Sequence, residues 1–293
     1  MNAVQPGYAV QLGYALPMTL DPLLRTINAH AVPGVEECDV AGRWHSRVVR
    51  GGDLVVTVEW GQPGELTLSA TGTGGPVVVD EDLVALVRRW LDLDRDVVAA
   101  DVHLGASALL RPLVRARPGL RVLGSTDGFE TAVMTVLGQQ VSLAAARTFG
   151  GRLVAGLGVP APAGMRAFPG PEVLASIDAE ELRALVGLTR ARAATVVSLA
   201  RAVADGAVQL GQDSDTGVQV RAALLVVPGI GPWTADYLAL RVLGDRDAYP
   251  ADDLVLKRAL GVTTGRAAAA LSGGWAPWRA CAVTHLWTQA VYG

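Results

Sequence analysis

The amino-acid sequence predicts an α+β protein in which a small antiparallel sheet domain, residues 1–79, precedes an all-helical domain, residues 80–293. Before Pro76 the apolar residues fall into short, β-branched runs separated by Gly-Gly and Pro-Gly turns, as in antiparallel hairpins. After Pro76 the apolar residues recur at helical spacing, and the segments that carry them begin with capping residues. A chain of 293 residues is also long enough for two ordinary domains.

Composition narrows the class of protein. The formal net charge is −3, with 51% hydrophobic and 18% charged residues, which excludes an intrinsically disordered chain. No apolar run is long enough to cross a membrane, and the N-terminal residues lack the pattern of an export signal, so we expect a cytosolic protein. Cys38, Cys281 and four isolated histidines offer no metal-ligand spacing, which excludes a cysteine-ligated iron–sulfur cluster.

The first domain is predicted to hold one helix among several strands. A strand is expected over 8–14, and Asp21 followed by Pro22 indicates the N-cap and the first residue of a helix. Three further strands, which complete an antiparallel sheet, are expected over 47–50, 54–60 and 65–70.

Capping residues define the helices of the second domain. The first of them begins with the acidic residues at 80–82. Asp127 and Ser142 are expected to cap two more, and Asp178 has capping-box spacing with Glu181. Six further helices are expected near 191–204, 217–226, 233–243, 254–260, 265–271 and 278–290.

The most informative segment joins two of these helices through a very short turn. The run 228–231, Pro-Gly-Ile-Gly, lies at the centre of a hairpin that spans 217–243. Its two glycines leave backbone N–H groups uncovered at the start of the second helix, where the helix dipole favours a phosphate. The segment predicts a helix-hairpin-helix that binds the DNA backbone through Gly229, Gly231 and Thr234 without reading sequence. The alternative is an ordinary turn between helices.

Across most of its length the chain resembles the AlkA type of helix-hairpin-helix DNA glycosylases, the DNA-3-methyladenine glycosylase II family. The resemblance implies a TBP-like antiparallel N-terminal domain followed by a helical glycosylase domain. It implies double-stranded DNA containing alkylated bases as the partner, no membrane association, and a monomer in the bacterial cytosol or nucleoid. Outside the hairpin it rests on the segments 117–122, 137–142, 249–254, 275–279 and 285–287.

By this resemblance the catalytic carboxylate is Asp253. In the family an aspartate in a Pro-x-Asp-Asp-like segment follows the hairpin, and Asp253 matches that position. Cleavage of the bond between a base and its deoxyribose passes through a positively charged sugar, which one carboxylate can stabilise. The alternative for Asp253 is a solvated acid at a helix start. Asp252 matches the preceding family position, and we expect it to be the N-cap of the helix that begins near Leu254.

The residue after Pro232 indicates whether the glycosylase is monofunctional or bifunctional. In bifunctional relatives, which also cut the strand, a lysine at this place forms a Schiff base, whereas this chain has Trp233. The only lysine, Lys257, lies one turn beyond Asp253, where we expect a solvent or phosphate contact. The resemblance therefore implies a monofunctional enzyme that leaves an abasic site.

Aromatic side chains form the predicted pocket for a flipped base. Trp233 and Tyr237 are four residues apart on one helix and share a face, and the resemblance adds Trp287. A cationic purine is attracted to such electron-rich faces. The alternative for each of the three is packing in the core. Core or interdomain packing is expected for Trp44, Trp60, Trp90, Trp275 and Trp278.

Base flipping also leaves a gap in the duplex, and the resemblance places the wedge that fills it at Gln140. The best-known AlkA pattern has an apolar residue there. A glutamine can fill space and hydrogen-bond the orphaned base. The alternative for Gln140 is a surface turn between two helices.

Together these inferences predict an enzyme that releases N-alkylated purines, 3-methyladenine foremost, from duplex DNA. A base alkylated at a ring nitrogen is already cationic, so it leaves without a general acid. No metal or nucleotide cofactor is required, although the hairpin carbonyls can hold a structural monovalent cation. Two alternatives stay open: a glycosylase for mismatched or deaminated bases on the same scaffold, and a non-catalytic helix-hairpin-helix DNA-binding protein.

Overall fold

The computed structural model describes residues 8–211 and 217–292, and it confirms an antiparallel sheet domain followed by a helical one. Within these ranges the sheet has six strands in the order β1-β5-β4-β3-β2, with β6 beside β5. The strands are β1 (Ala9–Gly13), β2 (Glu36–Asp39), β3 (Trp44–Val49), β4 (Leu54–Trp60), β5 (Glu65–Gly72) and β6 (Gly75–Val77).

Alternating apolar residues give the sheet one buried face. Val58 of β4 pairs with Leu68 of β5, and both side chains are buried. Helix α1 (Leu20–His30) packs in the same core through Leu23, Leu24 and Ile27.

The start of α1 corrects one prediction. Asp21 is not the N-cap, because the helix begins at Leu20 and Thr19 precedes it without a side-chain cap bond. Asp21 lies in the first turn and accepts a hydrogen bond of 2.7 Å from Nε of Arg25. Pro22 is the third helical residue, where it is still tolerated because the first-turn N–H groups have no helical acceptor.

Three caps predicted for the helical domain, at Asp127, Ser142 and Asp178, are confirmed, and Asp80 at the start of the acidic run 80–82 is a further cap. The side chains of Asp80, Asp127, Ser142 and Asp178 each accept a backbone hydrogen bond at the start of a helix. The helices after α1 in the described residues are α2 (Glu81–Trp90), α3 (Val97–Gly105), α4 (Arg111–Ala116), α5 (Gly128–Leu137), α6 (Leu143–Leu157), α7 (Pro171–Ser176), α8 (Ala179–Val186), α9 (Arg190–Ala204), α10 (Gly217–Val226), α11 (Pro232–Arg241), α12 (Leu254–Ala259), α13 (Gly265–Leu271) and α14 (Arg279–Tyr292).

The packing of these helices creates the site. Helix α5 packs against α9 and α11, and α12 packs against α14. Buried Val133, Val196 and Leu238 belong to the core that joins α5, α9 and α11. Side chains of α5, α11 and α14 and the start of α12 line one cavity, together with residues of the sheet domain. None of the helices in the described ranges combines the length and apolar character needed to span a bilayer.

Candidate active site

The two hairpin glycines have different structural roles. Gly229 lies in the left-handed region at φ +87°, and a Cβ there would clash with Oγ1 of Thr195, so the turn requires glycine. Gly231 has φ −100° and is the N-cap residue of α11, and a Cβ there would meet no atom within 4 Å. Glycine at 231 therefore serves no packing need within the chain, and it keeps the surface open where the first N–H groups of α11 emerge.

Thr234 lies inside the protein. It is 2% exposed, and its Oγ1 accepts a hydrogen bond of 3.1 Å from Nε2 of Gln139. The same amide nitrogen is 3.4 Å from the carbonyl oxygen of Gly229, and the Gln139 carbonyl accepts a hydrogen bond from Arg192. The structure thus does not bring the Thr234 hydroxyl to the surface. Gln139, which sequence reasoning missed, connects the turn after α5 to the hairpin.

Gln140 occupies the tip of that turn. Its backbone has φ +55°, a left-handed conformation that non-glycine residues rarely adopt, and its side chain is exposed. Such a conformation costs on the order of 1–3 kcal/mol and persists where the surroundings impose it. The turn therefore presents the Gln140 side chain to solvent between α5 and α6.

Asp253 caps helix α12, which corrects the expectation that Asp252 does so. Oδ1 of Asp253 accepts a hydrogen bond of 2.7 Å from the N–H of Leu256, and Asp253 is only 8% exposed. The side chain of Asp252 is 65% exposed, and its Oδ1 is 4.0 Å from Nζ of Lys257. The turn closed by the N–H of Asp253 on the Pro250 carbonyl starts the helix one residue later than a cap at Asp252 would require.

Two tryptophans hold the Asp253 carboxylate through their indole N–H groups. Nε1 of Trp233 donates to Oδ2 at 2.9 Å, and Nε1 of Trp287 donates to Oδ1 at 2.9 Å. A carboxylate offers about four acceptor positions. The bond from the Leu256 N–H and the two bonds from the indoles together use three of them. Because two of the three bonds are made to Oδ1, the remaining position lies on Oδ2. We predicted an aromatic pocket from these tryptophans, but not their hydrogen bonds to the carboxylate.

The predicted aromatic residues lie together. The rings of Trp233 and Tyr237 stack with centroids 5.6 Å apart, and those of Tyr237 and Trp287 are 5.8 Å apart. The guanidinium of Arg241 lies 5.8 Å from the Tyr237 ring centroid, and its Nη1 donates to the Tyr237 hydroxyl at 3.0 Å. These contacts form one wall beside Asp253.

A cavity of about 400 Å³ opens onto this wall. Asp253, Trp233, Tyr237 and Trp287 line it from the helical domain, and this size lies within the usual range of ligand pockets. The sheet domain supplies other lining residues, including Thr26, His30, Glu36 and Arg47, and Trp90 of α2 lies beside them. The cavity is therefore formed jointly by the two domains.

A buried ionic cluster fixes the domain contact at this cavity. Nη2 of Arg47 donates to Oε1 of Glu130 at 2.7 Å, and Glu36 accepts from Nε2 of His45 at 3.0 Å. Burial raises the pKa of Glu130 to about 7 despite the Arg47 guanidinium. Burial works in the same direction on Glu36, but Arg47 and His45 together lower its pKa to about 2. Trp90, 5.7 Å below the Arg47 guanidinium, completes the cluster.

A hairpin with open N–H groups, a buried aspartate and an aromatic cavity define the class of helix-hairpin-helix base excision proteins. Comparison with protein families agrees: residues 9–127 match the AlkA N-terminal domain, and residues 133–266 match the HhH-GPD superfamily base excision DNA repair proteins. The chain belongs to this superfamily and to its branch with an AlkA N-terminal domain.

Individual relatives support the assignment. The chain is 31% identical to DNA-3-methyladenine glycosylase 2 of Escherichia coli, over 94% of this chain and 95% of the relative. It is 38% identical to a probable bifunctional transcriptional activator/DNA repair enzyme AlkA of Mycobacterium tuberculosis, over 96% of this chain. This match spans about half, 56%, of the Mycobacterium protein's length. The solved 3-methyladenine DNA-glycosylase from Archaeoglobus fulgidus shares the fold, with a TM-score of 0.80 at 18% identity, covering 98% of this chain and 99% of that one.

Proposed function

We propose that this chain is a monofunctional DNA glycosylase that releases alkylated purines, 3-methyladenine among them, from duplex DNA by base flipping. The observation that carries the proposal is the Asp253 carboxylate, which lines an aromatic cavity and keeps one acceptor position of Oδ2 uncommitted. The name of the Escherichia coli relative, DNA-3-methyladenine glycosylase 2, supports the substrate class.

The geometry suits cleavage of a glycosidic bond to a cationic base. When the bond from C1′ to the base nitrogen breaks, its electron pair neutralises the base and leaves the positive charge on the sugar. Asp253 stabilises that charge, and its fixed position avoids the cost of reorienting a carboxylate during the reaction. Water then adds to C1′ and loses its proton, to Asp253 or to solvent, so that the product is an abasic site.

The aromatic wall selects the base. Stacking on Trp233 and Tyr237 favours a planar cation over a neutral base, because the ring faces carry negative potential. A neutral, undamaged purine gains less from this wall and also leaves with its electron pair less readily. Binding and reactivity therefore favour the same alkylated bases.

Contacts with the DNA backbone are proposed for the hairpin and the turn at Gln140. Gly229 shapes the hairpin turn, Gly231 admits a phosphate to the N–H groups of α11, and buried Thr234 supports the hairpin from within. Gln140 is positioned on an exposed, constrained turn, as a wedge requires. We propose that the protein acts on DNA as a monomer in the bacterial cytosol or nucleoid.

No cofactor takes part in the proposed reaction, because a cationic leaving group needs neither a Lewis acid nor a proton donor. A monovalent cation bound by the hairpin carbonyls would support the turn and leave the chemistry unchanged. Base release is accordingly expected to continue after exhaustive chelation of divalent metals, and its recovery only on return of one metal would contradict the mechanism.

Single-turnover release of 3-methyladenine from methylated duplex tests the proposal. Asp253→Asn is expected to slow release at least about a hundredfold, the scale for removing one preorganised charge, while DNA binding persists. Asp252→Asn is the matched control, because Asp252 is exposed and makes no cap. Equal losses of base-release rate from the two substitutions would contradict the catalytic role of Asp253.

The second candidate, a glycosylase for deaminated or mismatched bases, shares the hairpin and the aspartate. Arg241 favours it, since this guanidinium lines the cavity and makes no ion pair with the described acidic residues. An arginine can donate to a base carbonyl. Release of hypoxanthine or uracil in preference to 3-methyladenine, in the same assay, would support this candidate.

A further inference from the structure

His30 is a polar residue in the cavity that the proposed mechanism does not use. It is the last residue of α1, in the sheet domain, and it lines the cavity with Trp233, Tyr237 and Asp253. A histidine here has the chemistry to contact a base that enters the cavity.

The hydrogen bonding of His30 fixes its tautomer. Nδ1 lies 2.9 Å from the carbonyl oxygen of Thr26. A carbonyl can only accept, so the proton must be on Nδ1, and Nε2 of the neutral ring carries a lone pair. Nε2 makes no hydrogen bond to another described residue, although the ring borders the cavity.

The surroundings keep the ring neutral. Burial is the main cause of the lowered pKa of His30, and the guanidiniums of Arg241 and Arg147 lower it further. The Thr26 carbonyl and Glu36 act in the opposite direction and raise it. The pKa of His30 is lowered to about 4. Near pH 7 the neutral ring, with its proton on Nδ1, therefore presents Nε2 as an acceptor.

We propose that Nε2 of His30 accepts a hydrogen bond from the 6-amino group of a flipped purine and so favours adenine-derived bases. The inference rests on the proposed function and refines its substrate class. Adenine carries an amino group at the position where guanine and hypoxanthine carry a carbonyl oxygen. An amino group donates to Nε2, whereas a carbonyl oxygen would oppose it with a second lone pair. The aromatic wall cannot make this distinction, since it contacts the faces of the base and not its edge.

Sites built to hydrogen-bond one polar group discriminate strongly against an analogue that lacks it, because their own polar atoms are then left unpaired. His30 would be left with an unpaired Nε2 in a half-buried wall whenever a 6-oxopurine entered. It is thus a specificity-determining residue, and it acts on the choice of base and not on bond cleavage.

The test compares two bases released from the same methylated duplex, 3-methyladenine and 3-methylguanine. Both are cationic and carry the methyl group on the same ring nitrogen, so they differ only in the groups at the purine edges. His30→Phe is expected to lower the ratio of 3-methyladenine to 3-methylguanine release about tenfold, the scale of one hydrogen bond. His30→Gln, whose amide oxygen can accept, should recover part of the ratio.

His103→Phe serves as the matched control, because Nε2 of His103 contacts the Gly274 carbonyl and His103 does not line the cavity. It should leave the ratio unchanged. An unchanged ratio in His30→Phe, or an equal loss of both bases, would overturn the inference while leaving the proposed function standing. If the unsubstituted protein released neither base, the proposed function itself would fail.

Discussion

Replacement of Asp253 by asparagine should place two hydrogen-bond donors face to face. Asparagine caps helices about as well as aspartate, so its amide oxygen at the Oδ1 position can keep the bonds from Leu256 and Trp287. The amide nitrogen then replaces Oδ2, 2.9 Å from Nε1 of Trp233, where both groups donate. The opposite amide orientation would create two such conflicts and is worse.

The magnitude follows from the cost of a partly buried donor without an acceptor. Leaving the Trp233 N–H unpaired should cost about 2 kcal/mol of unfolding free energy. Trp233→Phe alone removes a bond to a charged group and should cost a similar amount, about 2 kcal/mol. In the Trp233→Phe background, however, Asp253→Asn meets no opposing donor and should cost little. The double variant is therefore expected to be about 2 kcal/mol more stable than the sum of the single effects.

Urea unfolding followed by circular dichroism measures this coupling without depending on the tryptophan signal. Base release separates stability from catalysis, because both variants that lack the carboxylate should be inactive, although the double variant should be about as stable as Trp233→Phe, which keeps the carboxylate. Additivity of the two costs within about 0.5 kcal/mol would refute the assignment of the indole bond to Oδ2.

Three further predictions concern the hairpin, the lack of lyase activity and the loss of stability at acid pH. Gly231→Val should fold normally yet weaken binding to damaged and undamaged duplex alike, whereas Gly229→Ala should destabilise the fold by on the order of 1–3 kcal/mol through its left-handed backbone. A lesion-selective defect of Gly231→Val in a binding titration would contradict this. Borohydride should trap no covalent DNA adduct through Lys257, and an adduct that survives blocking of the N-terminal amine but disappears in Lys257→Ala would show a lyase. Burial, aided by nearby arginines, lowers the pKa of His285 to about 4, so the unfolded chain binds this proton first and stability should fall between pH 6.5 and 4. His285→Phe should remove about 3 kcal/mol of that fall in urea unfolding, and parallel pH profiles of the two proteins would argue against it.

Local signals explain what the sequence could predict. The limits of α10, Gly217–Val226, and of β4, Leu54–Trp60, match the predicted ranges because turn residues and apolar periodicity define both ends. The caps at Asp127 and Ser142 depend only on neighbouring backbone N–H groups, and both are confirmed. Strand β2, Glu36–Asp39, was missed, because its charged residues are poor strand formers and only pairing with β3 orders them.

The site was predictable in its parts and not in its connections. Asp253, Trp233 and Trp287 could be named from the sequence, but their hydrogen bonds join positions 20 and 34 residues apart. Nothing local indicates that Arg47 pairs with Glu130, 83 residues away, because that contact depends on how the domains dock. The wrong cap prediction at Asp252 has a local cause. Either of two adjacent aspartates can cap a helix, and the turn closed by the N–H of Asp253 on the Pro250 carbonyl places Asp253 at the cap position.

The most direct test of the central claim is to identify what the protein releases from methylated duplex DNA in the presence of a chelator. We expect free alkylated purines, with 3-methyladenine foremost, and strands that stay intact until alkali cleaves them at abasic sites. Release that is confined to deaminated or mismatched bases, strand cleavage without alkali, or binding with no base release would contradict it.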